Sequence, residues 1–379
     1  MPPERTPLHS TSFHRTSLQR SLVSRRAALR GLASVASALS MAGCVGMAAT
    51  GQRFDASEVA SQPTILVATT RKAVNGGRTK PWFGTERART TTVARATLKP
   101  PDEGRFSLSA VGLSDWSITS IEPAPQIGDL LNQATSGRDV LIYIHGYNQT
   151  FETAALDAAR LSDGIKFAGE TMAFSWPSRA KLLDYNYDRE SATWSRDALA
   201  QVLEDLLASP TIGRVNIVAH SVGTMLTTEA LRQLYAKLGD YAADRVGAIV
   251  FASPDIDMDV FTAAMPKIGP LAAKITIITA TDDRALAVSR WVNGSTTRVG
   301  AAEKTQLENM GLKVIDASAQ GWGVLNHDLF MSNANIRKAI RDAIGGPPRI
   351  GGFTVPSIQM GGSLAPPEGA QAAPPMGAN

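Results

Sequence analysis

An apolar, β-branched run, Val215-Asn216-Ile217-Val218-Ala219-His220, stops at Ser221. An amphipathic pattern follows at once, with Val222, Met225, Leu226, Ala230, Leu231 and Leu234 near helical spacing. A strand that hands over to a helix across a single serine constrains the fold more than any other feature of this chain. Such a turn crowds the positions two residues to either side, and both are small here, Ala219 and Gly223. This is the layout of a nucleophile elbow, in which a strained turn projects the serine hydroxyl from the sheet edge. The helix N-terminus just beyond offers backbone N–H groups and positive dipole potential to a developing oxyanion. Ala219 stands where glycine is usual, but one methyl still fits. The pattern small-x-Ser-x-Gly is weak alone, because an ordinary serine in a tight strand–helix turn would match it, so partners are needed elsewhere in the chain.

The histidines narrow the choice of general base. There are five: His9, His14, His145, His220 and His327. The first two fall in a leader segment. His220 lies inside the elbow, beside the nucleophile and pointing the wrong way to serve it, and His145 opens a His-Gly pair with another role. His327 remains, late in the chain, in the loop Gln320-Gly321-Trp322-Gly323-Val324-Leu325-Asn326-His327-Asp328 before a helix. A carboxylate that orients this histidine and fixes its tautomer must follow the nucleophile and precede the base. Asp282 and Asp283 follow the next-to-last core strand, whereas Asp255, Asp257 and Asp259 follow the strand before it. Spacing favours the Asp282/Asp283 pair. Asp255, placed after Pro254, also reads as a plain helix N-cap.

Between about residues 62 and 345 short β-branched runs alternate with helical stretches, which predicts an α/β domain with a mostly parallel sheet covered on both faces. Strands are expected at 64–69, 106–111, 140–144, 171–175, 215–218, 247–251, 275–278 and 313–316, and helices notably at 150–166, 192–207 and 334–343. In open sheets of this kind ligands bind outside the carboxyl ends of the strands. Every residue selected above for chemistry lies just after a strand, and so does the pair His145-Gly146, which follows the most apolar one. The aromatic side chains Trp82, Phe83, Trp176, Tyr185, Tyr187, Trp194 and Trp322 fall in or beside loops near such ends, and packing explains them as well as any contact with substrate.

The two ends of the chain read differently. Residues 1–43 carry six arginines and one acid, so the formal charge of +4 reduces to 32 basic against 33 acidic residues in the remainder. Bulk charge therefore gives no support to a nucleic-acid partner. A basic region precedes an apolar stretch, 31–43, too short to span a bilayer, as in an export signal peptide. Ser24-Arg25-Arg26-Ala27-Ala28-Leu29-Arg30 resembles a twin-arginine export motif. Met41-Ala42-Gly43-Cys44 resembles a bacterial lipobox, and Cys44 is the sole cysteine. These features predict lipidation at Cys44 and an exported, membrane-anchored lipoprotein of the cell envelope or periplasm, held by acyl chains such as palmitate. Residues 44–61 read as a tether. Residues 346–379, rich in Gly, Pro and Ala, read as a disordered tail that cannot offset its ordering entropy.

Taken together, Tyr143-Ile144-His145-Gly146-Tyr147-Asn148-Gln149-Thr150-Phe151, Phe174-Ser175-Trp176-Pro177-Ser178, Ala219-His220-Ser221-Val222-Gly223, Pro254-Asp255-Ile256-Asp257 and Asp282-Asp283-Arg284-Ala285-Leu286 resemble an uncharacterised bacterial family of α/β-hydrolases grouped with esterases and lipases. The resemblance covers roughly residues 62–345. It implies the α/β-hydrolase fold, places Ser221 and His327 as nucleophile and base, and makes Asp283 the better acid. In α/β-hydrolases the loop after the His-Gly strand supplies the second oxyanion N–H, here from Tyr147, beside that of Val222.

The expectation is a serine hydrolase that cleaves carboxylic esters through Ser221, Asp283 and His327, with a small-molecule or lipid ester as substrate. A thioesterase, amidase or acyltransferase would use the same residues. The competing class is a non-catalytic envelope lipoprotein that uses a hydrolase fold as a binding scaffold. No His/Cys cluster has ligand spacing and no P-loop or dinucleotide fingerprint occurs, so no metal or nucleotide cofactor is expected.

Overall fold

The computed structural model describes residues 63–100, 116–132, 137–181, 183–279, 297–318 and 333–345, together with the backbone of 349–350 and 353–354. Cys44, Asp282, Asp283, His327 and the strand expected at 106–111 lie outside the described residues.

Nine strands form one sheet. They are β1 (Thr64–Ala73), β2 (Phe83–Lys99), β3 (Ser117–Ala124), β4 (Arg138–Ile144), β5 (Glu170–Ser175), β6 (Ile212–His220), β7 (Val246–Ala252), β8 (Ile275–Thr279) and β9 (Lys313–Asp316). Their order is β3-β2-β1-β5-β4-β6-β7-β8-β9. From β1 to β9 every neighbouring pair is parallel, whereas β2 runs antiparallel to both β1 and β3.

The helices are α1 (Ile127–Leu131), α2 (Phe151–Ile165), α3 (Tyr185–Trp194), α4 (Arg196–Ala208), α5 (Val222–Leu238), α6 (Asp240–Arg245), α7 (Met258–Ile268), α8 (Lys304–Glu308) and α9 (Ala334–Ile344). Successive strand residues point to opposite faces, and the core divides accordingly. Val140, Ile142 and Ile144 of β4 with Val215, Ile217 and Ala219 of β6 pack toward Leu203, Leu226 and Phe261 of α4, α5 and α7. Leu141, Tyr143 and Val218 pack on the other face toward Phe151, Ala155, Ile336 and Ile340 of α2 and α9. Strands buried on both faces read as continuous apolar runs, which is why β4 to β8 are legible in the sequence.

Two departures from the sequence reading have local causes. β2 lacks a legible alternation because Glu86, Arg87 and Arg89 fall on both faces of its solvated first half, 84–92, and only 93–98 are mostly buried. The helix expected at 192–207 is two helices meeting at Ser195, whose buried hydroxyl donates to the Ser191 carbonyl (2.8 Å) and bonds the Thr70 hydroxyl (2.9 Å). A serine hydroxyl that competes with the helical ladder marks the break. In the stretch read as tail, β10 (Arg349–Ile350) and β11 (Phe353–Thr354) form a short antiparallel pair.

Candidate active site

The connection leaving β4 leads to β5 on one side, and the connection leaving β6 leads to β7 on the other, while β4 and β6 are neighbours. The crevice at their carboxyl ends is therefore the topological switch point of the sheet, where ligands bind in open α/β folds. Ser221 stands there. It adopts φ 52° and ψ −124°, between the last residue of β6 and the first of α5. This left-handed backbone is rare for a residue with a side chain and is stored strain of the kind found at functional turns. The turn is held by backbone bonds: Ser221 N–H donates to Ala252 O (3.0 Å), and Ser221 O accepts from Thr224 N (3.0 Å) and Asp255 N (3.3 Å). Ser221 gives α5 no side-chain cap. Among the described residues, the N–H groups of Val222 and Tyr147 donate to no protein acceptor.

The His145-Gly146 loop is fitted onto this elbow backbone to backbone. A Cβ on Gly223 would lie 2.5 Å from His145 O and 2.8 Å from Ile144 O. A Cβ on Gly146 would lie 2.9 Å from both His220 Nδ1 and Ser221 Cβ. Both glycines are thus required by close approach rather than by dihedral freedom. Ala219 is fully buried beside Ile144 and Phe251 in register, and its methyl is accommodated.

His145 is not placed as a base. Its ring is fully buried, stacked on Trp176 at 4.6 Å, with Nδ1 2.7 Å from Gly146 O and Nε2 3.0 Å from Trp176 O. Burial first, then the Arg71 guanidinium, push its pKa down to about 3, against the two carbonyls that favour the cation. A neutral imidazole has one N–H, so only one of these carbonyls receives a hydrogen bond at a time. Trp176 Nε1 in turn donates to His145 O (2.8 Å), so this tryptophan is structural and buried.

A family model described as alpha/beta hydrolase of unknown function (DUF900) matches residues 125–343. The chain belongs to that family. Its sheet is the mostly parallel sheet of an α/β hydrolase, and the resemblance read from the motifs holds at the level of the family. An uncharacterised protein of Nostoc sp. (strain PCC 7120) is 29% identical over 122 residues, covering 26% of this chain and 32% of that one. The chain thus spans about a third of that curated relative's length. Among solved structures, the catalytic core domain of acetyl xylan esterase from Trichoderma reesei matches at 12% identity and a TM-score of 0.34, over 55% of this chain and 98% of that one. A cutinase-like protein from Cryptococcus sp. matches at 16% identity and a TM-score of 0.32, over 55% and 96%.

In this α/β hydrolase the rival carboxylate Asp255 sits beside the Ser221 turn, its N–H donating to Ser221 O (3.3 Å). It is buried, paired with the buried Arg298 (3.3 Å) and accepting from Tyr185 Oη (2.6 Å). The helix N-cap belongs instead to Asp257, whose side chain accepts from Asp259 N (2.9 Å) and Val260 N (3.1 Å). The sequence could not separate these two roles, because Arg298 joins Asp255 from a distant segment. The strand ends beyond Ser221 are tied in a staircase: Ser253 N to Ile278 O (3.0 Å) and Ala317 N to Thr279 O (2.8 Å). β8 and β9 end at this edge, and Asp282, Asp283 and His327 follow them in the sequence, outside the described residues. Among the described residues no three His, Cys, Asp or Glu side chains converge as metal ligands, and no helix is long and apolar enough to cross a membrane.

Proposed function

We propose that this α/β hydrolase is a serine hydrolase that cleaves carboxylic esters, with Ser221 as nucleophile. The observation that carries the reading is the Ser221 turn itself: a left-handed serine at the β4/β6 switch point, followed at once by an uncapped helix N-terminus. The hydroxyl attacks the ester carbonyl while His327 takes its proton and later delivers it to the leaving alcohol; water then releases the acyl group. Asp283 orients His327 and stabilises the imidazolium. The N–H groups of Tyr147 and Val222 hold the oxyanion, where pre-aimed donors in a dry site stabilise charge without reorganisation. Asp283 is preferred for its place after β8 in the chain order and for the likeness of Asp282-Asp283-Arg284-Ala285-Leu286 to the family, while the contacts of Asp255 with Arg298 and Tyr185 give that carboxylate a structural role. The leader places the enzyme in the cell envelope, held to a membrane through lipid on Cys44.

The test is a fluorophosphonate probe on the purified protein, with a chain-length panel of chromogenic esters. Labelling of Ser221 that disappears in Ser221→Ala, with ester turnover in the wild type, supports the reading. A folded wild type that is neither labelled nor active would leave the binding-scaffold alternative. For the anchor, metabolic labelling with a fatty-acid analogue should be lost in Cys44→Ser; equal labelling of both forms would replace the lipoprotein with a plain exported one.

A further inference from the structure

We infer that Asp188, with Arg71 behind it, is a positioning residue that sets the loop after β4 so that the Tyr147 N–H faces the oxyanion. The inference rests on the proposed hydrolase reading and adds to it a residue from α3 that touches no reacting atom.

Asp188 and Arg71 are the two buried charges nearest this loop, and neither is explained by the hydrophobic core. Asp188 spends both oxygens on the loop and its neighbour. Its Oδ2 accepts from Asn148 N (3.2 Å) and Ser178 Oγ (2.5 Å), and its Oδ1 accepts from Arg179 N (2.8 Å). Asn148, the residue next to Tyr147, is held left-handed at φ 61°. Asparagine tolerates that region better than most residues, but it still needs an acceptor for the N–H it turns inward. Ser178 continues the hold, because its hydroxyl oxygen accepts from Gln149 N (3.1 Å) while donating to Asp188. Arg71 takes the other side of the same residue: Nη2 donates to Gln149 O (2.8 Å), Nη1 to Ser178 O (2.9 Å) and Gly84 O (3.1 Å), and Nε to Ser175 Oγ (2.9 Å). Burial lowers its pKa to about 10, with Asp188 the leading opposing influence, so the guanidinium stays charged at neutral pH.

Tyr147 is thus clamped from both directions. Behind it His145 O is fixed by Trp176 Nε1, and ahead of it Asn148 and Gln149 are fixed by Asp188, Ser178 and Arg71. Apolar residues would fill the same space at lower desolvation cost, so a buried carboxylate and guanidinium bonded to one loop are best accounted for by the geometry they impose. An asparagine at 188 keeps one acceptor oxygen but turns an N–H toward at least one of the three donors that the two carboxylate oxygens now receive.

The experiment uses the whole protein and Asp188→Asn. Active sites are counted by fluorophosphonate titration, and kcat and KM are measured per active site on the preferred ester. An arylboronic acid is the second probe, because on a serine it forms a tetrahedral anion that needs the oxyanion donors. The expected result is a fall in kcat of about 10²- to 10³-fold, as for loss of one oxyanion donor, with KM within about threefold. Boronate affinity should fall by a similar factor. Ser178→Ala, a milder change, should give the same split at roughly tenfold and decides the matter if Asp188→Asn does not fold. Unchanged kcat per active site, with boronate binding intact, would overturn the positioning role even if fewer molecules fold. A wild type without labelling or turnover would remove the hydrolase reading and this inference with it; an active wild type matched by its variants would remove this inference alone.

Discussion

Ser221 and Ser253 end neighbouring parallel strands in nearly the same way, and comparing them isolates what makes one turn suited to chemistry. Both are buried serines with left-handed backbones, φ 52° and φ 45°. Both donate their N–H to the next strand, Ser221 to Ala252 O and Ser253 to Ile278 O. The difference begins one residue later. After Ser221, α5 starts immediately, with no side-chain cap. After Ser253, Pro254-Asp255-Ile256 intervenes, and α7 starts only at Met258 with its first N–H groups closed by Asp257. Strain is therefore common to both strand-end serines. What sets the proposed nucleophile apart is that its hydroxyl shares its position with open backbone donors, which, of these two turns, only the first provides.

The sharpest way to break the comparison is to remove each hydroxyl. Ser221→Ala should lower ester turnover by about 10⁴- to 10⁶-fold, because nucleophile, base and acid act as a unit. Ser253→Ala should stay within about threefold of wild type, since no donor array accompanies it. Both should keep the wild-type circular dichroism. Residual activity in Ser221→Ala above a tenth of wild type would mean that another residue performs the attack, and a dead Ser253→Ala would show that the open helix end is not the deciding feature.

The carboxylates extend the contrast. With Asp283 orienting His327, Asp283→Asn should favour the wrong imidazole tautomer and cost about 10⁴ in turnover with little change in melting temperature. Asp255→Asn should do the reverse. It breaks a buried pair with Arg298, which costs about 3–5 kcal/mol of stability when one partner is removed, while per-site turnover in the folded fraction changes little. Catalytic loss in Asp255→Asn without loss of stability would move the acid to the Ser253 side and would undo the assignment of Asp283.

These two sides also differ in how far the sequence discloses them. The elbow is legible because it is local: strand, serine, glycine and helix follow one another within a dozen residues. The parallel core is legible because its strands are continuous apolar runs. β2 is not, because charged residues on both faces of its solvated first half interrupt the alternation, and the break at Ser195 depends on a hydroxyl partner, Thr70, far away in the chain. The role of Asp255 and the clamp of Arg71 and Asp188 on the loop are invisible for the same reason. Each is defined by a contact between segments, and the residue type alone fits a helix cap or a surface charge equally well.

His145 gives the Ser221 side a pH dependence of its own. In the folded protein burial pushes its pKa down to about 3, from an ordinary value of 6.5. Between those values the unfolded chain binds a proton that the folded chain refuses. Its contribution to stability is therefore fully present above about pH 6.5 and drains away as pH falls toward 3, at ~1.4 kcal/mol per pH unit. Denaturant melts at pH 7, 5 and 4 should show this slope in the wild type. His145→Gln should be less stable at pH 7 yet lose less on acidification. Parallel slopes for the two proteins would mean that His145 is not the group held neutral.

The smallest expected effect tests the closed helix end directly. Asp257 accepts from the N–H groups of Asp259 and Val260, so Asp257→Ala reopens donors that the Ser221 turn leaves open by design of its sequence. Losing an N-cap carboxylate typically costs about 1 kcal/mol, because it strands the first N–H groups of the helix and removes a favourable charge from its positive end. The melting midpoint should fall accordingly, while kcat and KM stay at wild-type values. Asp257→Asn, which keeps an acceptor oxygen but not the charge, should recover most of the loss and so separate hydrogen bonding from the dipole. If Asp257→Ala instead left stability unchanged, the first turn of α7 would be satisfied by solvent alone, and the contrast between a closed and an open helix end would lose its energetic basis. The left-handed backbone would then be what the two serines share, and the choice between them would fall to the His145-Gly146 loop, which a Cβ on Gly146 would drive into Ser221.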